Sequence, residues 1–351
     1  MSSGIRPSIA NPRNAPNDIG LLERDYEGAM STLCAGCGHD SITAAIVRAM
    51  YELAIPPHRL AKVSGIGCSS KTPTYFVPGA HGVNALHGRM PSIATGANAA
   101  NRELFLIGVS GDGDSLSIGL GQFMHAVRRN VNMLYMLENN GVYGLTKGQF
   151  SASADIGSKL KKGDTNPFTP VDPVLLAINL GAGFVARSFS GDKAQLIPLI
   201  KAGMKHKGFA FIDIISPCVT FNDHEASTKS YLHSREYQHE VVHMDLVEEA
   251  DEITAEYGEG ETASITLHDG TPMVLSKSDE SYDHTDPIRA HSYIRERQLR
   301  GEVPTGLLYY HDANEDMHGY AGTPETPLVD LPWEKLCPGS KMLEEFQELL
   351  R

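Results

Sequence analysis

The sequence predicts a doubly wound α/β fold with a mainly parallel β-sheet and a charged C-terminal extension. Between residues 33 and 216, short apolar runs alternate with longer segments of helical spacing, which is typical of βαβ units on a parallel sheet. The chain has 351 residues, enough for one large domain or two of ordinary size. Its residues are 41% hydrophobic and 21% charged, so intrinsic disorder and fibrous repeats are excluded.

Each element of this fold is predicted from its own pattern. The first helix, over residues 40–53, begins at a capping Asp40 and places apolar residues on one face from Ile42 onward. Residues 104–109 and 132–137 are continuous apolar runs, as expected of buried parallel strands. The same reasoning predicts helices over residues 116–129, 173–180, 193–205 and 288–299, and strands over residues 183–187 and 209–215.

The chain divides into three predicted segments. Residues 1–29 form an N-terminal arm, residues 30–223 a central domain, and residues 224–351 a C-terminal extension. After Cys218 charged and histidine residues become dense, and no further βαβ pattern is found. We expect the extension to pack on the central domain or on another subunit.

Charge and cysteine usage narrow the class of protein. The formal net charge is −13, and such a surface repels nucleic acid and anionic lipid, so neither is expected as a partner. No apolar run approaches the ~20 residues that span a bilayer. An odd number of cysteines and the lack of a secretory leader predict a cytoplasmic protein with reduced thiols, in which clustered cysteines more often bind metal.

Two polar turns follow neighbouring predicted strands. Gly111-Asp112-Gly113 ends the first, and Asn139-Asn140 ends the second after 25 intervening residues. A glycine turn lets backbone N–H groups approach a phosphate, and Asp112 supplies an oxygen ligand for a divalent cation. Neighbouring parallel strands deliver both turns to one crevice. The pair matches the thiamine diphosphate fingerprint, in which Asp112, the Asn140 side chain and the Val142 carbonyl would hold Mg²⁺.

Four of the five cysteines lie beside glycine or proline at the ends of predicted elements. Four thiolates can bind zinc or an iron–sulfur cube. Structural zinc usually uses two CxxC pairs, whereas here the pair Cys34 and Cys37 is joined by Cys68 and Cys218 alone, 31 and 181 positions after Cys37. The spacing favours a cluster and leaves zinc open. Cys337 stands apart, and we expect it to be an ordinary small buried residue.

The motifs together resemble a known family. CAGCGH, GIGCSSK, LHGR, GDGD, NNGVYGLTKGQ and SPC occur in this order between Met30 and His224, and VPTGLLY continues the series at residues 303–309. They resemble the beta subunit of the 2-oxoacid:ferredoxin oxidoreductases, most closely the 2-oxoglutarate (KorB-like) branch. The resemblance implies that residues 30–223 form a thiamine diphosphate-binding (pyrophosphate) domain that also carries one [4Fe–4S] cluster.

The resemblance also implies the reaction and the residues that carry it. The reaction would be oxidative decarboxylation of 2-oxoglutarate with coenzyme A, which gives succinyl-CoA and CO₂. The electrons would pass through the cluster to ferredoxin. The reverse carboxylation is the same chemistry. Cys34, Cys37, Cys68 and Cys218 would ligate the cluster. The residues implied to contact thiamine diphosphate and Mg²⁺ are Gly67, Cys68, Ser69, His87, Gly111, Asp112, Gly113, Asp114, Asn140, Val142, Leu145 and Thr146.

Three residues are candidates for contact with the substrate. His87 precedes a glycine between the GIGC turn and the GDG strand, so it could meet a phosphate or the substrate. Lys71 and Lys147 are cations that could meet a carboxylate, and we hypothesise that Lys71 selects the dicarboxylate 2-oxoglutarate over pyruvate. His39 is a weaker candidate. Leu145 would lie under the bend of the thiamine and favour its V shape.

The predicted fold lacks part of a thiamine site. Thiamine enzymes carry a glutamate on a separate pyrimidine-binding domain, and only one doubly wound unit is found in this chain. We therefore expect an α subunit that supplies the glutamate, in an αβ pair that dimerises. Three alternatives stay open at this point: the same chemistry on pyruvate or a broad range of 2-oxoacids, a non-redox thiamine enzyme with structural zinc, and a non-catalytic electron-transfer or sensor protein, which the GDG and Asn-Asn turns disfavour.

Overall fold

Helices and strands alternate along most of the chain in the computed structural model, which describes residues 15–159, 163, 165–246, 262–266, 272–277, 279, 281–312, 315–337 and 339–351. Residues 1–14, half of the predicted N-terminal arm, lie outside the described residues. The strands are β1 (Leu60–Ser64), β2 (His81–Asn84), β3 (Phe105–Gly111), β4 (Met133–Asn139), β5 (Val142–Tyr143), β6 (Gln149–Phe150), β7 (Phe184–Phe189), β8 (Phe209–Ile215), β9 (Gln238–Leu246), β10 (Thr262–Thr266), β11 (Pro272–Lys277) and β12 (Val303–Tyr310). The helices are α1 (Gly38–Glu52), α2 (Met90–Ala100), α3 (Leu120–Arg128), α4 (Pro173–Asn179), α5 (Lys193–Lys205), α6 (Tyr231–Tyr237), α7 (Pro287–Leu299), α8 (Met317–Ala321), α9 (Trp333–Leu336) and α10 (Gly339–Leu349).

A central sheet confirms the predicted α/β fold. Within the described residues its strands follow the order β10-β11-β9-β12-β7-β8-β4-β3-β1-β2. All neighbours from β7 to β2 are parallel, so their carboxyl ends lie along one edge of the sheet. The central strands β4 and β8 are buried at every residue, because helices cover both faces of a parallel sheet.

An aromatic cluster fills the core between α3 and the middle of the sheet. Phe123 of α3 packs edge-on against Tyr135 of β4 and Phe211 of β8, with ring centroids 5.2 Å apart in both pairs. Phe209 lies 5.8 Å from Phe123 in the same arrangement. Edge-to-face pairs of this kind add about 0.5–1.5 kcal/mol each beyond the area that they bury. The cluster therefore holds β4, which delivers the Asn-Asn turn, against its neighbours.

The chain after residue 224 continues the central sheet. β12 pairs antiparallel with β7 and parallel with β9, and β11 and β10 follow β9 at the sheet edge. No strand was predicted here from the sequence, because Pro304 and Gly306 argue against a central strand. The register of β12 shifts after Thr305, which accommodates both residues. Gly306 has φ +91°, and a Cβ there would overlap the Val242 carbonyl oxygen, so β12 can approach β9 only with glycine at this position.

Three elements before residue 104 also have no predicted counterpart. β1 carries a buried lysine in its centre, and β2 is exposed at every residue, so neither has the apolar signature of a parallel strand. α2 contains Pro91, Gly96 and mostly small residues, which obscure its helical period. The helix predicted over residues 116–129 begins earlier than expected. It starts as a π-helical segment, Gly113–Ile118, directly after the GDG turn, and continues as α3.

The buried lysine of β1 stabilises an unusual turn. Lys62 Nζ donates hydrogen bonds to the carbonyl oxygens of Phe76 at 2.6 Å and Val77 at 2.8 Å. Val77 has φ +38°, a conformation that β-branched residues rarely adopt. Burial lowers the pKa of Lys62 to about 8. The ammonium group therefore binds two consecutive carbonyls of the strained turn, of which the Val77 carbonyl also accepts the Ala80 N–H at 3.1 Å.

A buried ion network joins β7 and β8 to the start of α4. Arg187 of β7 donates from Nε to Asp213 of β8 at 2.8 Å and from Nη2 to both oxygens of Asp172 at 3.0 Å. Arg187 is 5% exposed and Asp213 is 1% exposed. Asp172 caps α4 by accepting two of its backbone N–H groups, and it also accepts a hydrogen bond from Gln298 of α7. The network connects the central sheet to the C-terminal extension.

The end of the chain lies on the surface. α10 contains no buried residue. Cys337 was expected to be a buried small residue, but it is exposed at the end of α9. This short helix lies on the protein surface and packs no side chain into the core. Among the described residues, no helix combines the length and the apolar character needed to cross a membrane.

Candidate functional site

A cavity of about 120 Å³ lies at the carboxyl ends of β3 and β4, where the GDG and Asn-Asn turns meet. All twelve residues predicted to contact the cofactor line it. They are Gly67, Cys68, Ser69, His87, Gly111, Asp112, Gly113, Asp114, Asn140, Val142, Leu145 and Thr146. Motifs spread over 80 residues of sequence are thus brought to one place, while the roles of the individual residues stay predictions.

A larger cavity of about 390 Å³ lies beside it, at the carboxyl ends of β7 and β8. Its charged lining residues include Arg187, Asp213 and Lys229, whose charges are already paired within the chain. None of the twelve predicted cofactor residues lines this larger space. The smaller cavity is therefore the candidate site, because chemistry rather than volume distinguishes it.

Asp112 is held in place by several hydrogen bonds. It is 1% exposed, and its Oδ2 accepts hydrogen bonds from the Gly141 N–H at 2.9 Å, from Ser153 Oγ at 2.7 Å and from Ser151 Oγ. Its Oδ1 is approached only by the distant Asn140 N–H at 3.5 Å. One oxygen of the carboxylate is therefore saturated, and the other is available to a ligand.

Asn140 and Val142 complete the predicted cation site. Asn140 Oδ1 accepts the Val142 N–H at 3.1 Å, so the side chain folds back over its own turn. Its carbonyl accepts a hydrogen bond from Asn222 Nδ2 at 2.8 Å. A single carboxylate, an amide oxygen and a main-chain carbonyl are suitable ligands for Mg²⁺, which takes its remaining ligands from phosphate and water. The donor chemistry therefore fits the predicted ion.

Asp114 organises the two loops on the other side of the cavity. Its Oδ1 accepts the backbone N–H groups of Gly88 at 2.7 Å and Ile66 at 3.2 Å, and its Oδ2 accepts Ser110 Oγ at 2.6 Å. A Cβ at Gly65 would overlap the Asp114 carboxylate, so the approach of the GIGC loop requires glycine. Asp114 thereby ties the GIGC and LHGR loops to the start of the helix after GDG.

His87 is placed by Asp114 and by an aromatic ring. Its Nδ1 lies against Asp114 Oδ1, and its ring packs edge-on to Tyr143 with centroids 6.3 Å apart. Tyr143 donates to the Gly113 carbonyl at 3.0 Å, and a Cβ at Gly113 would lie 2.5 Å from the tyrosine ring. Asp114 and Tyr143 together fix the position of the His87 ring at the cavity.

A buried acid and histidine form the floor of the cavity. Glu138, the last residue before the Asn-Asn turn, is fully buried and accepts from Thr72 Oγ1 at 3.1 Å. Its Oε2 lies 3.3 Å from Nδ1 of His39, and its Oε1 has no hydrogen-bond partner. Burial raises the pKa of Glu138 well above its usual range and lowers the pKa of His39 to about 4. Burial therefore opposes a charge on either group.

Four of the cysteines lie close together next to this floor. Cys34 accepts from Thr220 Oγ1 at 3.4 Å, which connects the CAGCGH loop to the SPC loop. A Cβ at Gly144 would lie 3.3 Å from the sulfur of Cys68 and 3.9 Å from that of Cys218. All five cysteines of the chain are free thiols. The fold thus brings three distant parts of the sequence to one cysteine cluster beside the cavity.

Burial changes the acidity of the clustered thiols. Burial raises the pKa of Cys37 to about 12, and it also raises the pKa of Cys68 and Cys218, while backbone N–H groups near Cys218 oppose the rise there. Binding of iron would therefore release protons. The described residues contain no group of three or more His, Cys, Asp or Glu side chains spaced to hold one metal ion. A cube binds one thiolate at each of four irons, so its ligands stand farther apart than those of a single ion.

The two lysines predicted to meet the substrate do not line the cavity. Lys71 is exposed and donates from Nζ to Thr32 Oγ1 at 3.0 Å, and Lys147 is exposed in the loop after Leu145 with φ +78°. Leu145 lines the cavity and is 57% exposed, so its side chain is free to contact a ligand. The substrate roles of both lysines stay predictions.

Several residues at the site were missed from the sequence. Ser151 and Ser153 bond Asp112 from a turn, in which the Ala154 N–H donates to the Ser151 carbonyl at 3.2 Å, so no periodic pattern indicated them. Glu138 also had a signal, because it is a lone acid at the end of an otherwise apolar strand. Asn222 had none, since it reaches Asn140 from 82 residues away.

Comparisons with known proteins agree with this geometry. The family model described as "Thiamine pyrophosphate enzyme, C-terminal TPP binding domain" matches residues 65–214, which include both turns of the cavity. A 2-oxoacid:ferredoxin oxidoreductase subunit beta from Saccharolobus solfataricus is 39% identical over 267 residues, which cover 74% of this chain and 87% of the relative. The chain belongs to the 2-oxoacid:ferredoxin oxidoreductase beta-subunit family. The predicted family and the predicted thiamine diphosphate-binding fold are thus confirmed.

Other members of the family carry names that specify the substrate. The 2-oxoglutarate oxidoreductase subunit KorB of Mycobacterium tuberculosis is 37% identical over 223 residues, 63% of this chain and 59% of the relative. A structure of 2-oxoglutarate:ferredoxin oxidoreductase from Magnetococcus marinus, with 2-oxoglutarate, coenzyme A and succinyl-CoA bound, has a TM-score of 0.70 and 32% identity. It covers 86% of this chain, which in turn covers 89% of that one. As a 2-oxoacid:ferredoxin oxidoreductase beta subunit, the chain is part of an enzyme complex, and the name implies an alpha-subunit partner.

Proposed function

We propose that this beta subunit carries the thiamine diphosphate and one [4Fe–4S] cluster of a 2-oxoglutarate:ferredoxin oxidoreductase. The enzyme would convert 2-oxoglutarate and coenzyme A to succinyl-CoA and CO₂ and pass two electrons, one at a time, to ferredoxin. The observation that carries the proposal is the position of Cys68. It lines the candidate cavity, and its sulfur also lies in the cysteine cluster near Cys218. One residue thus joins the site of carbon chemistry to the site of electron transfer.

In this proposal the cofactors are held by groups already described. Asp112, the Asn140 side chain and the Val142 carbonyl would hold Mg²⁺, and the turn at Gly111 and Gly113 leaves backbone N–H groups accessible to the diphosphate. Cys34, Cys37, Cys68 and Cys218 would ligate the cluster. When bound, thiamine diphosphate supplies the nucleophile and electron sink for decarboxylation, and the cluster supplies a one-electron acceptor.

Uncharged and fixed polar groups of the chain would control protons and water around the substrate. Burial raises the pKa of Glu138 and so favours its protonated form, which would donate a hydrogen bond into the cavity. Asp114 lies against Nδ1 of His87 and would hold the imidazole ring toward a bound group. Lys71 and Lys147 would serve the carboxylates of the substrate, with Lys71 favouring a dicarboxylate.

We propose a heteromeric enzyme in which two αβ pairs associate. The α subunit would supply the glutamate on the pyrimidine side of thiamine and part of the substrate site. A cytoplasmic location and a ferredoxin as electron acceptor follow from the same proposal. The names of the relatives support an α partner and a ferredoxin acceptor.

The test is anaerobic co-expression with the α subunit, followed by metal analysis and turnover. We expect about four irons per beta chain, coenzyme A-dependent viologen reduction and CO₂ release with 2-oxoglutarate. Cys68→Ser should lose iron, and the matched control Cys337→Ser, an exposed thiol outside the cluster, should keep it. One zinc and no iron in the wild type would overturn the proposal in favour of a non-redox thiamine enzyme.

A broad-range 2-oxoacid enzyme is the second candidate, since relatives from Saccharolobus solfataricus and Sulfolobus are named for 2-oxoacids in general. The ratio of kcat/KM for 2-oxoglutarate and pyruvate separates the two. In Lys71→Ala this ratio should fall toward pyruvate, because a fixed cation for the second carboxylate is lost. An unchanged ratio would remove Lys71 from the site.

A further inference from the structure

The carboxylate of Asp112 is held by an outer layer of hydroxyl groups that no sequence motif indicated. Ser153 Oγ lies 2.7 Å from Asp112 Oδ2, and Ser151 Oγ contacts the same oxygen. Ser151 is 6% exposed and Ser153 is 3% exposed, so both bonds are protected from water. With the Gly141 N–H, Oδ2 receives three hydrogen bonds, while Oδ1 receives none shorter than 3.5 Å.

The segment that carries the two serines is itself anchored on three sides. The Ser151 N–H donates to the Gly141 carbonyl at 3.1 Å, and the Ala152 N–H donates to Ser117 Oγ at 3.0 Å. Lys229, from the C-terminal extension, donates from Nζ to the Ser153 carbonyl at 2.8 Å. The serines are therefore presented to Asp112 by a fixed backbone rather than by a mobile loop.

Ser153 also lies at the start of a longer polar chain. Its Oγ is 2.8 Å from Asn139 Oδ1, whose amide nitrogen donates to Asp213 at 3.0 Å. The Ser153 Oγ also lies 3.2 Å from Ser151 Oγ, and its single hydrogen can be donated fully to only one of these neighbours. Bonds to a charged acceptor are roughly twice as strong as neutral ones, so the carboxylate of Asp112 takes the hydrogen.

We propose that Ser151 and Ser153 are positioning residues that orient Asp112, occupying Oδ2 so that Oδ1 faces the cavity as the single carboxylate ligand of a divalent cation. This inference rests on the proposed function, since it assumes that Asp112 binds the cation of thiamine diphosphate. Outer-layer partners of metal ligands typically contribute about 10- to 100-fold to metal affinity. Neither serine touches the cation itself.

The test measures metal binding rather than turnover. The complex with the α subunit is freed of metal and cofactor, thiamine diphosphate is added, and Mn²⁺ is titrated while free Mn²⁺ is followed by electron paramagnetic resonance. Ser153→Ala should raise the Kd for Mn²⁺ about 10- to 100-fold. Ser153→Thr, which keeps the hydroxyl, should restore it to within about threefold of wild type. Ser117→Ala is the matched control, because Ser117 holds the same segment without touching Asp112, and its Kd should equal that of wild type.

Each result has a distinct meaning. A Kd for Ser153→Ala within about threefold of wild type overturns the inference. An equal loss of Mn²⁺ affinity in Ser117→Ala overturns it too, because the segment would then act only by keeping the fold intact. Ser151→Ala, with the same expected direction, keeps the inference testable if Ser153→Ala does not fold. A wild-type complex that binds no Mn²⁺ with thiamine diphosphate would instead overturn the proposed cofactor site, and this inference with it.

Discussion

Replacing Arg187 by methionine should cost about 3–5 kcal/mol of folding free energy, because it leaves buried carboxylates without their cation. Asp172 keeps other donors, namely two N–H groups of α4 and Gln298. Within the described part of the chain, Asp213 keeps only the Asn139 amide as a side-chain donor, at 3.0 Å. Burial raises the pKa of Asp213 above its usual value even beside Arg187. Most of the cost should therefore come from the unpaired charge of Asp213.

The assay is urea unfolding of the full-length chain, in which the midpoint falls while the slope stays constant. The exposed Arg289, 73% accessible and 3.6 Å from Asp283, provides the matched control. Arg289→Met should change stability by about 0–1 kcal/mol, since surface ion pairs contribute little. Adding Asp213→Asn to Arg187→Met removes the unpaired charge and should recover about 1–3 kcal/mol. A loss below about 1 kcal/mol in the single variant, or no recovery in the double variant, would refute this reasoning.

Three other outcomes concern the site and the strand beside it. Gly65→Ala should abolish thiamine diphosphate binding, measured by calorimetry, because the added Cβ would displace Asp114. Gly96 in α2 has open space around it, so Gly96→Ala should instead raise stability by about 0.5–1 kcal/mol. Burial lowers the pKa of Lys62 from 10.5 to about 8, so the native chain loses this proton at a lower pH than the unfolded chain does. The stability of the wild type relative to Lys62→Met should therefore rise between these two pH values. Equal urea midpoints of the two proteins across that range would contradict this. Chelation of divalent cations should release thiamine diphosphate from the complex, and added Mg²⁺ should restore its binding. If the complex kept thiamine diphosphate without any cation, Asp112 and Asn140 would not be metal ligands.

The fold of the central domain could be predicted where burial dominates the local pattern. β4 and β8 are buried along their whole length, so their residues are apolar without interruption and mark them as strands. β1 could not be recognised, since Lys62 in its centre is explained only by the carbonyl oxygens of a turn formed by residues 76 and 77. β12 was hidden for the same kind of reason, because its bulge accommodates a proline and a glycine that argue against a strand when read alone.

The residues predicted to contact the cofactor lie together at one cavity, although several strands around them had not been predicted. Residues that bind through backbone turns or short spacings, such as the GDG turn and Cys34 with Cys37, leave local signatures. The polar groups that hold those residues do not, since Asn222 and Lys229 act on the site from more than 70 positions away in the sequence. The two lysines predicted to meet the substrate do not line the cavity. A charged side chain next to a motif can point to solvent, so its position in the sequence does not place it in a site.

The antiparallel pairing of β12 with β7 has a consequence for the nascent chain. Arg187 pairs with Gly306, so the edge of β7 has no partner until residues 303–310 have left the ribosome. At about 5–20 residues per second, the roughly 120 residues between the two strands take about 6–24 s to synthesise. During that time β7 presents open backbone groups of the kind that recruit strands from other molecules. Synthesis of β12 removes this hazard, so truncations before β12 should aggregate even though the motifs of the cavity and all four clustered cysteines are already present.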